Sequence, residues 1–176
     1  MRKQKLFLLN IFLSIFLASP AFCQQTSKSP SSPAKKNTQS SRINEYLKQW
    51  SEYINNSEKE TAPIAAQMKN KPTDNKSFAD WKSLANQAEK IFRHYKSREQ
   101  SLSASACLEC LKIHNLTLDF YDTMISYFDA LSDGKFGPRA QALLRKSQDI
   151  KNEINKTAYL LKVELRADNP NPKYSR

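Results

Sequence analysis

The segment CLECLKIH, residues 107–114, holds two cysteines and a histidine, the side chains of this sequence best suited to chemistry. If the segment is helical, Cys107, Cys110 and His114 share one face. Two thiols one helical turn apart have α-carbons about 5 Å apart, within the range of a disulfide. The same spacing also suits buried thiols or a metal site, so the interpretation depends on the surroundings of the pair.

Zinc or copper is the alternative to a disulfide at this segment. His94, the other histidine, is predicted near the end of the preceding helix, and a turn at about 98–102 would bring it toward Cys107. Thiolates and imidazoles suit either metal. Cys107 and His114 lie about 10 Å apart along a helix axis, so one ion cannot easily contact all four side chains. The predicted metal ligands are therefore Cys107, Cys110 and one histidine. A disulfide or buried thiols, with no cofactor, is the preferred interpretation.

The beginning of the chain predicts export. A basic start precedes an apolar run over residues 6–18, the layout of a secretory signal peptide, here placed at 1–23. The run is shorter than the about 20 residues that span a bilayer. Lipid attachment at Cys23 is disfavoured because Phe22 stands where a small residue is required. We therefore expect a periplasmic or secreted protein, in a compartment where cysteines form disulfides.

The charge of the chain is strongly basic, with 28 Lys and Arg against 17 Asp and Glu, a net charge of +11. Removing the three basic residues of the predicted signal peptide from +11 leaves +8. Peripheral contact with an anionic membrane surface is one consequence of such charge. Nucleic-acid binding is not expected, because no aromatic ladder is interleaved with the basic residues.

Composition divides the rest of the chain into three parts. Residues 24–41 are rich in Ser, Pro and Lys and read as a disordered tether, and residues 168–176 as a disordered tail. Residues 42–167 form the predicted domain, which is large enough for a single core.

Hydrophobic periodicity within the domain predicts four helices. The first covers about 42–58, followed by a broken segment; the second is capped by Ser77 with Asp80; the fourth begins at Pro138. The third stops near Gly134. Apolar stripes are predicted at Ile43, Leu47, Trp50, Ile54; Phe78, Trp81, Ala85, Ala88, Phe92, Tyr95; Cys107, Leu111, His114, Leu118, Tyr121, Ile125, Phe128; and Leu143, Ser147, Ile150, Ile154, Ala158, Leu161, Leu165. The prediction is an all-α, antiparallel up-and-down four-helix bundle with left-handed, coiled-coil-like packing.

The sequence lacks the common catalytic motifs. It holds no glycine-rich phosphate loop, no Gly-x-Ser-x-Gly and no His-Glu-x-x-His. Haem attachment would need a histidine directly after Cys110, where Leu111 stands. A thioredoxin-type centre is not expected either, since Cys107 and Cys110 lie inside a predicted helix with no strand before it. The prediction is therefore a protein that is not an enzyme.

The leading functional hypothesis is an exported helical protein that binds a protein or another component of the cell envelope. Candidate contact residues are Lys135, Phe136 and Arg139, which flank the predicted third turn. Two alternatives stay open: a metal-handling protein that uses the two cysteines and a histidine, and a basic protein that associates with membranes or polyanions.

Overall fold

The computed structural model describes residues 34–68 and 72–167. The predicted signal peptide, the first part of the predicted tether and the predicted tail lie outside these ranges. Within them the chain forms four α-helices and no strand: α1 Ala34–Gln67, α2 Asn75–Gln100, α3 Leu108–Ser132 and α4 Pro138–Ala167. The all-α prediction is confirmed, and the arrangement is consistent with a helical bundle. The antiparallel order and the left-handed packing stay predictions. None of the helices in these ranges has the length and apolarity required to cross a membrane.

The first helix begins earlier than the sequence indicated. Residues 34–41, assigned to the tether, are helical, and the predicted start was at residue 42. These residues include Ala34, two lysines and one glutamine, which favour helix, and they hold no proline. Near this end the Gln39 side chain donates a hydrogen bond of 3.3 Å to the Ala106 carbonyl, so α1 contacts the connection that precedes α3.

The first helix also ends later than predicted, because it continues through Pro63 to Gln67. Proline in a helix interior removes one backbone hydrogen bond, at a cost of about 3 kcal/mol. Ile64, just after it, and Met68 are both buried in the core, and burial of side chains of this size contributes a comparable stabilisation. Packing therefore outweighs the local preference of the chain.

The second helix begins one turn before the predicted cap. Asp74 is the N-cap: its Oδ1 accepts a hydrogen bond of 2.7 Å from the Ser77 amide, while Ser77 Oγ accepts one of 3.2 Å from the Asp74 amide. The hydrogen bond from the Ser77 amide lowers the pKa of the Asp74 carboxyl. The capping box is thus formed by Asp74 with Ser77, and the predicted pairing of Ser77 with Asp80 was wrong. The predicted core face from Trp81 to Tyr95 is buried.

The third helix packs its first turns with a different face from the one predicted. Leu111, assigned to the core, is 41% exposed, whereas Ile113 and Thr117 are buried. Thr117 can be buried because its hydroxyl accepts a hydrogen bond of 2.9 Å from Trp50 Nε1 and donates one to the Ile113 carbonyl. The predicted stripe did not include Thr117, because hydrophobic periodicity does not identify a polar residue whose hydrogen bonds are satisfied in the core. From Tyr121 onward the predicted stripe is buried.

The fourth helix follows its predicted stripe, with Ser147, Ile154 and Leu161 buried. An ion pair links α4 to α1: Lys151 Nζ lies 2.5 Å from Glu58 Oε1, and each side chain is only 13% exposed. Burial raises the pKa of the Glu58 carboxyl, although the Lys151 ammonium acts in the opposite direction.

Candidate functional site

Cys107 and Cys110 form a disulfide with α-carbons 5.1 Å apart, which confirms the predicted pairing distance. The prediction that both cysteines lie inside a helix was wrong. Cys107 is the N-cap of α3, with extended backbone at φ −159° and ψ 163°, and the helix proper begins at Leu108. The Cys107 Sγ accepts a hydrogen bond of 3.0 Å from the Cys110 amide, as Ser or Asp does at other helix starts. The cysteines therefore span a helix N-terminus.

The two sulfur-bearing residues differ in accessibility. Cys110 is completely buried, whereas Cys107 is only partly buried. Leu108, between them in sequence, is 79% exposed, and Leu111 is exposed on the next turn. One side of the disulfide thus belongs to the core and the other meets the surface beside two exposed leucines.

A buried polar cluster, formed by Tyr46, Glu99 and His114, links three helices. Glu99 at the end of α2 has no solvent exposure. Its Oε1 lies 2.9 Å from His114 Nδ1 on α3 and 3.5 Å from the hydroxyl of Tyr46 on α1. Within the described ranges no hydrogen-bond partner reaches its Oε2. This cluster places an acid where apolar packing would be expected.

Burial controls the ionisation of this polar cluster. Burial raises the pKa of the Glu99 carboxyl. This effect is opposed by the hydrogen bond and charge of His114 and by the hydrogen bond from the Tyr46 hydroxyl, which lower the pKa. Burial, together with the Glu99 charge, raises the pKa of Tyr46 far above that of a free tyrosine. Both effects follow from the cost of charge in a low-dielectric interior.

Sequence reasoning missed Glu99 and Tyr46, although a signal for the acid exists. The buried stripe of α2 steps through Phe92 and Tyr95, and Glu99 occupies the next position, four residues on. A charged residue on an apolar stripe indicates a buried partner, which here is His114. That partner lies on another helix and could not be identified from spacing along the chain.

The residues of the metal hypothesis are engaged elsewhere. Cys107 and Cys110 are bonded to each other, and His114 is hydrogen-bonded to Glu99. His94 is exposed, and its ring packs edge-on against Tyr95 with centroids 5.1 Å apart. In the part of the chain that the structure describes, no three His, Cys, Asp or Glu side chains lie close enough to hold a metal ion. Zinc or copper binding stays a prediction.

The candidate contact residues at the α3–α4 connection differ in their surroundings. Phe136 is half-buried and packs against Trp81, with ring centroids 4.6 Å apart. Lys135 Nζ forms an ion pair of 2.7 Å with Asp133, and that ammonium lowers the pKa of the Asp133 carboxyl. Arg139 is exposed on the first turn of α4. The aromatic ring of this set therefore serves the core, and the two basic groups face solvent.

Exposed apolar side chains form a second group that the sequence did not single out. On α4, Tyr159, Leu160 and Val163 are exposed to 68, 50 and 43% respectively. They lie between the buried positions Ala158 and Leu161 and beyond them. The signal was present as the run AYLLKV, which is apolar around more of the helix than one core stripe requires.

Comparison with other proteins adds no relative. No family model matches the chain, and no curated protein or solved structure matches it. The function must therefore be argued from the residues themselves.

Proposed function

We propose that the chain is an exported helical protein, not an enzyme, that binds an envelope protein through an apolar surface. This apolar surface is defined by five side chains on α3 and α4: Leu108, Leu111, Tyr159, Leu160 and Val163. The exposure of these residues is the observation that carries the proposal. Single exposed apolar residues are common, but a group of them marks an interaction site. Export rests on the leader pattern of residues 1–23.

The scaffold in this proposal is the antiparallel, left-handed bundle predicted from the sequence. Contacts between α2 and α3 support an antiparallel arrangement of these two helices, because the contacting residues have rising numbers on α3 as their numbers fall on α2. The contacts that do so are Glu99 with His114, Lys96 with Asp122, and Phe92 with Phe128.

An ion pair between α3 and α4 supports one continuous surface. Lys112 Nζ lies 2.6 Å from Glu153 Oε1. Leu108 lies one turn before Lys112, about 6 Å along the axis, and Leu160 lies two turns after Glu153, about 10 Å along. In antiparallel helices these displacements have the same direction, so the exposed leucines of α3 lie beside Leu160 of α4. Val163, about one turn after Leu160, extends the surface toward the end of α4.

Charges around the apolar surface favour a protein partner with acidic groups. Lys156 and Lys162 are exposed beside it and form no ion pair among the described residues. Glu164 also lies on this side, and a face that inserts into an anionic membrane would be expected to lack an acid there. Aromatic and aliphatic anchors with a charged rim are the usual anatomy of a protein interface.

Site-specific photocrosslinking tests the proposal. A benzophenone side chain at Val163 should give one dominant adduct with an envelope protein in the native host, and the same probe at exposed Lys90 on α2 should not. Tyr159→Asp with Leu160→Asp should abolish the adduct while circular dichroism stays unchanged, because both side chains already face solvent.

Three results would overturn the proposal. One is equal adducts from Val163 and Lys90. Another is an adduct of twice the mass of the chain, which would make the surface a contact between copies. The third is binding to phosphatidylglycerol vesicles that depends on Tyr159 and falls with salt, which would make the surface a membrane contact.

A further inference from the structure

The geometry of the α3 N-terminus points to a thiol–disulfide exchange site, in which Cys107 is the sulfur attacked by a protein dithiol and Cys110 is the buried partner. This inference goes beyond the proposed binding function, because it adds a redox activity to a chain that was proposed above to act by binding alone. It holds even if the apolar surface has another occupant. Position is the first argument. A Cys-x-x-Cys pair across the start of a helix has the placement of reactive pairs, whereas a pair within a helix does not. The first cysteine precedes the helix here.

The difference in burial decides which sulfur reacts. Exchange requires a thiolate to approach a disulfide sulfur in line with the bond. Cys110 is completely enclosed, and Cys107 is partly exposed. Only Cys107 can therefore be attacked while the protein stays folded.

The helix N-terminus would stabilise the reduced form of Cys107. The Cys110 amide already donates to the Cys107 Sγ, and the same hydrogen bond would hold a thiolate, aided by the positive end of the helix dipole. Glu109 in the first turn acts against this effect, because its carboxylate is a like charge. Replacing Glu109 therefore measures how strongly its carboxylate opposes the effect of the helix N-terminus on the Cys107 thiolate.

The exchange reaction is a two-electron transfer. One thiolate of the partner attacks Cys107 Sγ, the bond to Cys110 Sγ breaks, and the Cys110 sulfur leaves with the electron pair and takes a proton from solvent. The second partner thiolate then attacks the partner sulfur of the mixed disulfide and releases Cys107 as a thiolate. The partner dithiol is oxidised to a disulfide, and Cys107 and Cys110 are reduced.

Two features suit the site to repeated exchange. The disulfide closes a loop of only four residues, so its reduction removes little of the constraint on the unfolded chain. The helices are held by their apolar faces, and the protein should stay folded in both redox states. Leu108, exposed beside Cys107, offers an apolar contact for a partner protein, since it does not pack into the core.

Differential alkylation of the reduced, full mature chain tests the inference without a mutation. Iodoacetamide labelling at pH 6.5, followed by mass spectrometry of each cysteine, should modify Cys107 at least about tenfold faster than Cys110. Glu109→Gln should accelerate labelling of Cys107. Equal labelling of both cysteines in protein that circular dichroism shows to be folded would overturn the assignment of Cys107.

Disulfide transfer provides the second measurement. The oxidised chain should oxidise a model peptide with two cysteines and apolar flanking residues. In Cys110→Ala the Cys107 thiolate should attack the disulfide form of the same peptide, displace one peptide sulfur as a thiolate and hold the peptide as a mixed disulfide, because no Cys110 sulfur is present to release it. Leu108→Ala should slow transfer to the peptide several-fold but leave reduction by glutathione unchanged. A disulfide that excess dithiothreitol reduces only when the helices unfold would overturn the inference. That result would leave the crosslinking test of the proposed binding function unaffected.

Discussion

The two connections that flank α3 differ in the kinds of side chain that they bury and expose. The α3–α4 connection is closed by an aromatic cluster of Phe78, Trp81 and Phe136, in which the Phe136 ring meets both others edge-on. The α2–α3 connection instead carries a disulfide, a buried acid bound to a histidine, and the exposed Leu108. The α3–α4 connection packs its aromatic side chains against one another. The other connection exposes an apolar side chain and buries a carboxyl group.

This contrast indicates where function lies. Aromatic packing stabilises a fold without a binding partner. A buried carboxyl such as Glu99, in contrast, lowers stability unless it is paired. An exposed leucine next to a disulfide contributes nothing to the core. Features that a stable fold does not need are grouped at the α2–α3 connection, and both proposals above include residues there.

The largest expected effect comes from truncating the aromatic cluster. Trp81→Ala should lower the free energy of unfolding by about 4 kcal/mol, since it removes a buried ring that packs on Phe136. The matched change at the other connection, Leu108→Ala, should stay within about 0.5 kcal/mol because that side chain is exposed. Urea unfolding followed by circular dichroism measures both. Equal losses would contradict the contrast between the two connections.

The next effect concerns the polar cluster. His114→Leu should cost about 3 kcal/mol at neutral pH, because it leaves the buried Glu99 carboxyl without its closest partner. The control His94→Leu changes an exposed histidine and should be nearly neutral. Adding Glu99→Gln to His114→Leu should recover part of the loss. If His114→Leu costs no more than His94→Leu in the same urea titration, the pair does not stabilise the fold.

The pH dependence of stability should identify Glu99 directly. Burial raises its pKa in the folded protein above the ordinary value of 4.5, so the folded state keeps a proton that the unfolded state releases. The wild-type free energy of unfolding therefore falls as pH rises from about 4.5 through the folded pKa, with a slope of at most about 1.4 kcal/mol per pH unit. Glu99→Gln lacks this loss.

The measurement is the difference in unfolding free energy between Glu99→Gln and wild type across this range. That difference should increase with pH, in favour of the variant. The control Glu109→Gln removes a carboxyl that is exposed, and the increase for Glu99→Gln should exceed that of the control. An increase for Glu99→Gln no larger than that of the control would show that burial does not perturb the Glu99 carboxyl.

How much could be read from the sequence depends on whether neighbours along the chain decide the outcome. The stripes of α2 and α4 and the stop at Gly134 were predicted correctly, because periodicity and a glycine are local signals. The start of α3 was not, since cysteine is an uncommon N-cap and gave no signal at Cys107. The error shifted the first turns of that stripe by one residue.

The candidate site was less predictable than the fold for the same reason. The disulfide is compatible with a spacing of three residues, and the sequence indicated it together with buried thiols, with a metal site as the alternative. The polar cluster joins residues 53 and 15 positions apart, and the burial of Glu99 depends on which helices meet. Exposure of Tyr159 likewise depends on how far the neighbouring helix covers α4, which periodicity does not report.

A smaller effect is expected from the glycine of the α3–α4 connection. Gly134 has φ +74°, and the Lys135 amide donates to the Ala130 carbonyl in the hydrogen-bond pattern of a Schellman motif. Gly134→Ala should cost about 1 kcal/mol, because an L-residue is strained there and its Cβ would lie 3.3 Å from the Phe78 ring. Gly137→Ala, whose Cβ would meet nothing within 4 Å, should be neutral or slightly stabilising. Thermal unfolding of the two variants decides, and equal costs would remove the conformational argument.

The smallest expected effect is that of the exposed ion pair at the same connection. Lys135→Ala removes the partner of Asp133, but both side chains face solvent, where water and salt screen the attraction. The melting temperature should change by no more than about 1 °C, and less still at high salt. Because Lys135 lowers the pKa of Asp133, any stabilisation is present above the ordinary carboxyl pKa of 3.8 and is lost as pH falls through the folded value. A clear loss at neutral pH would show that the connection depends on charge as well as on its aromatic rings. If the melting temperature is unchanged, Lys135→Ala and the similarly exposed Arg139→Ala become controls for the crosslinking test. Arg139 lies about 36 Å along α4 from Val163, so neither change should weaken an adduct that depends on the apolar surface.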